Sequence, residues 1–307
     1  MNLQQLRYVA EVAQRNLNVS DAARALHTSQ SGVSRQISLL EEELGLDIFV
    51  RHGKRLVAIT RPGEEVIAIA RRMLRDIVAL RQVGDEYSVG EQGRLTIATT
   101  HTQARYVLPR MLPDFMRAHP DVKITLHQGN PTQCCEYVLS GEADLAIATE
   151  AIDDFELLVS LPCYEWNRCL ITPPGHPLLD VTPLTLEAIA AWPLITYDFA
   201  FTGGSTVNRA FAAQSLTPNV VLSAIDADII KAYVALGLGV GIVARMAFDP
   251  EQDRNLRAVD CSHLFEASTT RIGLHRNAWL RGYTYAFMQR FAATLTRDVV
   301  DRALGRN

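Results

Sequence analysis

Apolar residues at helical spacing occupy most of the first 44 positions of the chain and predict three short helices. The first helix, residues 3–14, has an apolar face that can cover the other two. The second and third lie around a tight break within residues 19–51, and the third begins near Gln30. Their predicted core residues are Val19, Ala22, Ala23, Leu26, Val33, Ile37, Leu40 and Leu44. The small side chains at 22 and 23 allow the two helices to cross closely, as in a helix-turn-helix.

The outward side of the third helix is polar at its N-terminal end, the part that meets bases and phosphates when such a helix lies in a DNA major groove. A hairpin with a basic turn at residues 52–54 follows and predicts a wing that lies along the DNA backbone. We expect the acidic run 41–43 to face away from phosphate. An ordinary helical hairpin with a solvated charged face is the alternative. The candidate DNA-binding residues are Ser29, Gln30, Ser31, Ser34, Arg35, Arg51, Lys54 and Arg55.

A long helix is predicted after Thr60, since Pro62 falls in a first turn, where proline is tolerated. Its apolar positions follow a heptad and are Val66, Ala70, Met73, Ile77 and Leu80. Two such helices, one from each subunit, would form a homodimer and set the spacing of two DNA half-sites. The alternative is a helix that packs on its own chain. The pattern predicts the end of the seam at residues 83–84 and a hinge at 88–90.

From residue 93 short apolar strands alternate with helices, a pattern typical of an α/β fold with a mainly parallel sheet. Strands are expected near 94–99, 122–127, 143–148, 157–161, 168–172, 193–197, 219–223, 239–243, 256–259 and 270–275. Helices are expected near 102–117, 131–140, 184–191, 205–214, 226–236 and 281–293. This number of units suggests two lobes with a ligand cleft at the strand ends.

The predicted domains are a winged helix-turn-helix over residues 1–60, a linker and dimerisation helix with its hinge over 61–90, and a two-lobed domain over 91–307. Lobe I would comprise about 91–161 and 267–295, and lobe II about 162–266. A chain of 307 residues is long enough for two or three domains.

The polar segment 99–106, with the sequence TTHTQARY, follows the first strand of the second region and enters a helix. The unbonded amides of a helix start and nearby threonine hydroxyls together make an anion site. Attraction of an anion to a helix end contributes about 0.3 to 2 kcal/mol, so several donors must converge. Neutral donors suit sulfate or a carboxylate, whereas a simple helix cap with extra threonines is the alternative.

The formal net charge is −4, so affinity for DNA must come from local basic side chains instead of a basic protein as a whole. The five cysteines include an adjacent pair and no CxxC spacing, which favours reduced thiols in a cytoplasmic protein over a redox switch. We expect neither a signal peptide nor a membrane span. Because no metal-ligand spacing, cofactor loop or nucleophile elbow occurs, we expect no catalytic residue, metal or cofactor.

The helix-turn-helix resembles the LysR-type transcriptional regulators. The matching positions are Ala22-Ala23, Leu26, Ser29-Gln30, Val33-Ser34, Ile37, Leu40-Glu41, Leu44-Gly45 and Phe49. Ser31 departs from the family, which usually has proline after the Ser-Gln pair. Proline would rigidify the first turn of the reading helix, so the departure concerns base-contact geometry. The resemblance implies a periplasmic-binding-protein-like effector domain for the rest of the chain.

Longer blocks are similar to the CysB/Cbl branch of this family, whose members control sulfur assimilation. The blocks are TTHTQARYVLP at 99–109, HQGNPTQ at 127–133, IATEA at 147–151, LPCYEWNR at 161–168, FTGGS at 201–205 and DADIIKAYV at 226–234. In that branch the cleft holds sulfate or an acetylated serine. The positions that the resemblance assigns to the effector are Thr100, Thr102, Gln103, Thr149, Trp166 and Thr202. From residue type alone, Trp166 could instead be a side chain that packs the lobes.

The resemblance implies a homodimeric or homotetrameric activator that binds double-stranded promoter DNA and senses sulfate, thiosulfate, O-acetylserine or N-acetylserine. Regulation of alkanesulfonate or sulfate-ester use is the alternative within the same branch. An enzyme of sulfur metabolism would not require residues 19–59. A transport-type binding protein would account for the second region but not for the DNA-binding one.

Overall fold

The computed structural model describes residues 1–53, 55–89, 92–198 and 205–306. The chain divides into two compact units, Met1–Gly90 and Glu91–Asn307. Each unit has its own buried apolar core, and the second unit has one such core on one of its two sheets and two on the other. No helix in the described ranges is long and apolar enough to cross a lipid bilayer.

The first unit is a winged helix-turn-helix. Its elements are α1 (Leu3–Gln14), α2 (Val19–Ala25), α3 (Gln30–Leu44), β1 (Phe49–His52), β2 (Arg55–Ile59) and α4 (Arg61–Val89). Strands β1 and β2 pair antiparallel and form the predicted wing. Gly45 ends α3 in the left-handed conformation with a φ of 67°, which glycine adopts without steric cost. Gly63 allows the start of α4 to approach the wing, because a Cβ there would lie 2.0 Å from the carbonyl oxygen of Ile48.

The core of the first unit contains most of the predicted residues, including Ala22, Ala23, Val33, Ile37 and Leu40. The prediction for Leu44 is wrong, since it is 39% exposed. The reason is its position as the last residue of α3, directly before the left-handed turn that carries the chain away.

The N-terminal half of α4 packs on the core of its own unit, through Ile67 and Ala70 with Val66 and Met73 beside them. The predicted heptad seam is therefore partly occupied within the chain. Its last member, Leu80, is 72% exposed. The helix also continues to Val89, beyond the predicted end of the seam at 83–84.

The second unit contains two five-stranded sheets. The strands are β3 (Gly93–Thr99), β4 (Val122–Gln128), β5 (Leu145–Ala148), β6 (Leu158–Trp166), β7 (Arg168–Thr172), β8 (Leu194–Tyr197), β9 (Val220–Ala224), β10 (Val240–Ala244), β11 (Arg257–Asp260) and β12 (Ser268–His275). One sheet has the order β4-β3-β5-β12-β6, and the other has the order β11-β7-β10-β8-β9.

The prediction of mainly parallel sheets is wrong, because both sheets are mixed. Parallel pairing joins β3 to β4 and β5, and β8 to β9 and β10. Strands β12 and β7 each return antiparallel between two neighbours. The reason is the crossing of the chain from one lobe to the other at Asn167 and its return after β11, which reverses the strand direction in each sheet.

The helices of the second unit are α5 (Leu112–Ala118), α6 (Pro131–Ser140), α7 (Leu186–Ala190), α8 (Thr206–Ala213), α9 (Ala227–Ala235), α10 (Gly282–Phe291) and α11 (Arg297–Ala303). The single helix predicted for 102–117 is wrong. It consists of a π-helical turn (Gln103–Val107), a 3₁₀ turn (Leu108–Arg110) and α5. Pro109 and Pro113 lie within this stretch, and proline cannot continue a regular helical hydrogen-bond ladder. Helix α11 was not predicted.

The lobe boundaries differ from the predicted ones. Lobe I extends to Trp166 at the end of β6, and its core includes Val300 and Leu304 of the C-terminal segment. Lobe II is built on the sheet from β7 to β11 and has a separate core. The predicted boundary at 161 was too early because β6 passes Pro162 with a shift of pairing register and remains paired with β12.

Candidate DNA-reading surface and effector cleft

Helix α3 begins at the polar end predicted to read DNA. Ser29 is its N-cap, and its hydroxyl accepts a hydrogen bond from the Gly32 amide at 3.1 Å. Gln30, Ser31 and Arg35 are exposed, and Ser34 is half-buried. In the described part of the chain, the Arg35 guanidinium forms no hydrogen bond or ion pair, so it is available to a base edge or a phosphate.

Glu41, the first residue of the acidic run at 41–43, has a structural role that the sequence analysis did not predict. It is buried, and its Oε1 accepts hydrogen bonds from the amides of Ile48 at 2.9 Å and Phe49 at 3.1 Å. Its Oε2 pairs with Arg51 at 2.6 Å. The helical repeat explains the difference, since Glu41 lies four residues after the core residue Ile37 and therefore on the same face. This carboxylate joins the reading helix to the wing.

The basic residues predicted for the wing differ in their surroundings. Arg51 was predicted as a DNA contact, and its guanidinium also donates to Ser38 at 3.2 Å, so Arg51 bridges the wing and α3. Arg55 is exposed at the start of β2. Lys54 lies outside the described residues. DNA contacts by these side chains remain predictions.

Lobe I brings three of the predicted effector residues to one edge of its sheet. Thr100 and Thr149 directly follow the parallel neighbours β3 and β5, and the Thr100 amide donates to Ile147 O at 3.4 Å. Strand β12 pairs antiparallel with β5 and continues three residues past Arg271, the partner of Ala148, so Ser268 and the opposite Trp166 lie beyond this same end of the sheet. The topology thus assembles Thr100, Thr149 and Trp166 from segments far apart in the chain.

Two donors at this edge lack partners within the described residues. Thr149 caps a 3₁₀ turn (Glu150–Asp154), but its hydroxyl makes no capping hydrogen bond. The indole Nε1 of Trp166 is shielded from solvent and has no hydrogen-bond acceptor in the structure. The Arg168 guanidinium lies 5.0 Å from the Trp166 ring centroid and adds positive charge on that side. A buried indole N–H usually has a partner, so an anion at this edge would satisfy it.

Gln103 is buried, and its side chain makes two hydrogen bonds that the sequence did not predict. Its Nε2 donates to Thr270 Oγ1 at 3.1 Å, and its Oε1 accepts from the Tyr164 hydroxyl. Burial raises the pKa of Tyr164, so the phenol stays protonated and donates. The amide of Gln103 therefore ties the π-helical turn to β12 and β6 inside lobe I.

Lobe II meets this edge through Tyr197, the last residue of β8. Its hydroxyl lies 3.4 Å from Thr102 Oγ1 and also accepts from the Ala244 amide at 3.5 Å. Burial raises the pKa of Tyr197 and keeps the hydroxyl neutral. The carboxyl end of β8 therefore contacts the segment that follows β3. Thr202, the remaining predicted effector residue, lies outside the described residues.

Sequence reasoning missed Tyr164, Tyr197 and Thr270. Tyr164 lies within the quoted block at 161–168 and Tyr197 ends a predicted strand, so both could have been identified from the sequence. Nothing in the sequence indicates that Thr270 would meet Gln103, because the two are brought together only by the return of the chain as β12.

The cysteines offer no reactive thiol. All five are free, and burial raises the pKa of each thiol to about 12. At neutral pH almost no thiolate forms, which disfavours metal binding and oxidation.

A winged helix-turn-helix followed by a two-lobed α/β domain defines a class of protein: a DNA-binding regulator with a domain of the kind that binds small molecules. Two family models match the chain, the bacterial regulatory helix-turn-helix protein of the lysR family over residues 3–64 and the LysR substrate binding domain over residues 88–296. The chain belongs to the LysR family of transcriptional regulators.

Several relatives with high identity are CysB-like and Cbl-like regulators. The chain is 50% identical over 304 residues to the HTH-type transcriptional regulator CysB of Burkholderia cenocepacia, covering 99% of this chain and 97% of that protein. It is 51% identical over 295 residues to the regulator SsuR of the same species, covering 96% of each chain. The crystal structure of the cofactor-binding domain of the Cbl regulator is 44% identical, with a TM-score of 0.66, over 69% of this chain and 93% of that one. These relatives confirm a CysB/Cbl-like regulator and overturn the enzyme alternative.

Proposed function

We propose that this protein activates genes of sulfur assimilation and cysteine biosynthesis in response to an anionic effector bound between its lobes. The candidate effectors are sulfate, thiosulfate, O-acetylserine and N-acetylserine. The observation that carries the proposal is the placement at one end of the lobe I sheet of Thr100, Thr149 and the Trp166 N–H, which has no acceptor among the described residues. The identity to CysB and Cbl supports the sulfur assignment.

Neutral donors are suited to this ligand class. The first-turn amides after Thr100 have no intrahelical acceptors, and hydroxyls stand beside them. A sulfate or carboxylate oxygen can accept from all of these groups without a metal or an enzyme-like base. The effector acts on DNA binding only as far as it binds one arrangement of the lobes and subunits more tightly than another.

Calorimetric titration with the four candidate effectors tests the proposal. Saturable binding is expected for at least one, and Thr100→Val should weaken it roughly fivefold, the effect of losing one hydrogen bond of about 1 kcal/mol. Thr125→Val in β4 is the matched control and should bind like the parent protein. Binding of none of the four would contradict the effector assignment and leave the LysR membership intact.

Regulation of alkanesulfonate or sulfate-ester use is a second candidate. Its support is the nearly equal identity to CysB and to the differently named SsuR. Deletion of the gene separates the two: failure to grow on sulfate supports cysteine biosynthesis, whereas failure on an alkanesulfonate alone supports the second candidate.

We propose a homodimer, able to assemble further into a homotetramer, in the cytoplasm where promoter DNA is found. Leu80 of α4 is exposed, as are Val221 of β9, Ile225 directly after it, Ile229 of α9 and Leu236 at the end of α9. Exposed large apolar side chains favour association with a second subunit when they form a contiguous patch. Sedimentation of Leu80→Glu and Ile229→Glu should show smaller assemblies, with Leu3→Glu in α1 as the control. Unchanged assemblies in both variants would remove these faces from the interface.

A further inference from the structure

Asp228, in the first turn of α9 in lobe II, is the centre of a charged cluster that joins the two lobes. Its Oδ1 accepts a hydrogen bond from the Tyr106 hydroxyl and lies 3.2 Å from Lys231 Nζ. Its Oδ2 lies 3.3 Å from Arg105 Nε and 3.4 Å from His101 Nε2. Three of these four partners belong to lobe I.

The three lobe I partners all lie in the segment that enters the cleft after β3. His101 directly follows Thr100, and Arg105 and Tyr106 belong to the π-helical turn Gln103–Val107. The other face of the same segment carries Thr102 and Gln103, which contact Tyr197 and Thr270. A π-turn has weaker backbone hydrogen bonding than an α-helix and is found often at functional sites. Its position therefore depends on side-chain anchors on both faces.

The lobe II side of the cluster is firmly held. Lys231 pairs with Asp253 at 3.1 Å and donates to Ala247 O at 3.0 Å, and its ammonium lies 5.1 Å from the Tyr106 ring centroid. Burial raises the pKa of Asp228, but the hydrogen bonds from Tyr106 and Lys231 have the larger, opposite effect and lower the pKa to about 2. The carboxylate is therefore charged at neutral pH and can bind all of its partners.

We propose that Asp228 is a positioning residue for effector binding: it anchors the turn after Thr100 to helix α9 and so holds the cleft donors in their binding arrangement. This inference rests on the proposed function of the cleft. Asp228 does not contact the effector edge itself, and it acts through Tyr106, Arg105 and His101. Effector affinity and the order of residues 100–107 should both depend on it.

A matched pair of variants isolates the role of the lobe contact. Asp228→Asn and Asp253→Asn each weaken one ion pair of Lys231, but only the first removes charge from the contact with lobe I. Tyr106→Phe removes a single hydroxyl from the opposite side of the same contact. Sulfate and N-acetylserine are the probes, and amide hydrogen exchange of the peptide covering residues 100–107 is the second measurement.

Asp228→Asn should weaken effector binding roughly tenfold, within the usual range for coupling between sites, and should speed exchange across residues 100–107. Asp253→Asn should change neither. Tyr106→Phe should weaken binding as well, and the double variant with Asp228→Asn should lose less than the two single losses combined, because both act on one contact. A residue that only stabilised α9 would lower the unfolding midpoint without coupling to Tyr106.

Parent-like affinity and exchange in Asp228→Asn would overturn the proposal, as would equal losses in Asp228→Asn and Asp253→Asn. If the parent protein bound neither probe, the effector assignment would fail. The exchange measurement would still decide on the anchor, since it needs no ligand.

Discussion

The reading helix and the effector cleft are assembled in opposite ways. The candidate DNA contacts of α3 are Ser29, Gln30, Ser31, Ser34 and Arg35, which are close neighbours in the sequence and share one helix end. The proposed effector site consists of Thr100, Thr149 and Trp166, which three separate strands bring to one end of a sheet. Substitution of a single exposed side chain should therefore affect DNA binding directly. Effector binding should also depend on the contacts that hold distant segments of the chain together.

Glu41 is an exception on the DNA-binding side, and its replacement should give the largest effect. Glu41→Ala leaves the buried amides of Ile48 and Phe49 without an acceptor and Arg51 without its partner. We expect a loss of about 2 to 4 kcal/mol in the stability of the first unit. Urea unfolding followed by a probe in each unit measures it, and effector affinity should be retained. Glu43→Ala, which changes an exposed residue of the same helix, is the control; equal losses in both variants would contradict the bridging role.

Arg35 tests whether the exposed end of α3 reads DNA. Arg35→Ala should weaken promoter binding by about 1 to 3 kcal/mol if the side chain contacts a base edge, and by less if it contacts phosphate. Arg117→Ala in lobe I removes the same charge far from α3 in sequence and should bind DNA like the parent. Fluorescence anisotropy at fixed salt measures both. Unchanged affinity in Arg35→Ala would exclude it from the reading surface.

Thr149 tests the cleft side of the comparison with a smaller expected effect. Thr149→Val keeps the shape of the side chain and removes a hydroxyl that makes no capping bond. Effector affinity should fall by about 1 kcal/mol, with DNA affinity in the absence of effector unchanged. Thr125→Val serves again as the calorimetric control. A loss of DNA binding equal to the loss of effector binding would indicate misfolding instead of a site effect.

The cysteines should give the smallest response. All five lie in the second unit, and burial raises the pKa of each thiol to about 12, so the thiolate fraction at neutral pH is negligible. The native protein should react very slowly with a thiol reagent and quickly once unfolded in urea. Fast reaction of the folded protein, with altered DNA binding, would restore the redox alternative.

Local patterns predicted the elements well and their arrangement less well. Most predicted strands lie within about two residues of the observed ones, because each is a short apolar run with clear turn residues at its ends. The antiparallel return of β12 and the contact of Gln103 with Thr270 depend on pairing between distant segments, which local periodicity does not encode. The two prolines after the π-helical turn were visible in the sequence and were the signal against one long helix.

The burial of Glu41 was also predictable from its spacing to Ile37, but the sequence analysis made no prediction of its burial or of its partners. Burial of a carboxylate is favourable only when donors are supplied, and the donors here are backbone amides seven and eight residues later. Because the donors are backbone amides, the identity of the side chains does not predict them.

If the proposed effector site controls the winged helix, effector binding must change DNA binding. The most direct test is a titration of promoter DNA from a sulfur-assimilation gene, with and without N-acetylserine or sulfate, for the parent and Thr100→Val. We expect effector to change the affinity or the length of the protected DNA for the parent, and Thr100→Val to bind DNA normally without effector but to lose this response. No change with any effector, or the same change in both proteins, would contradict it.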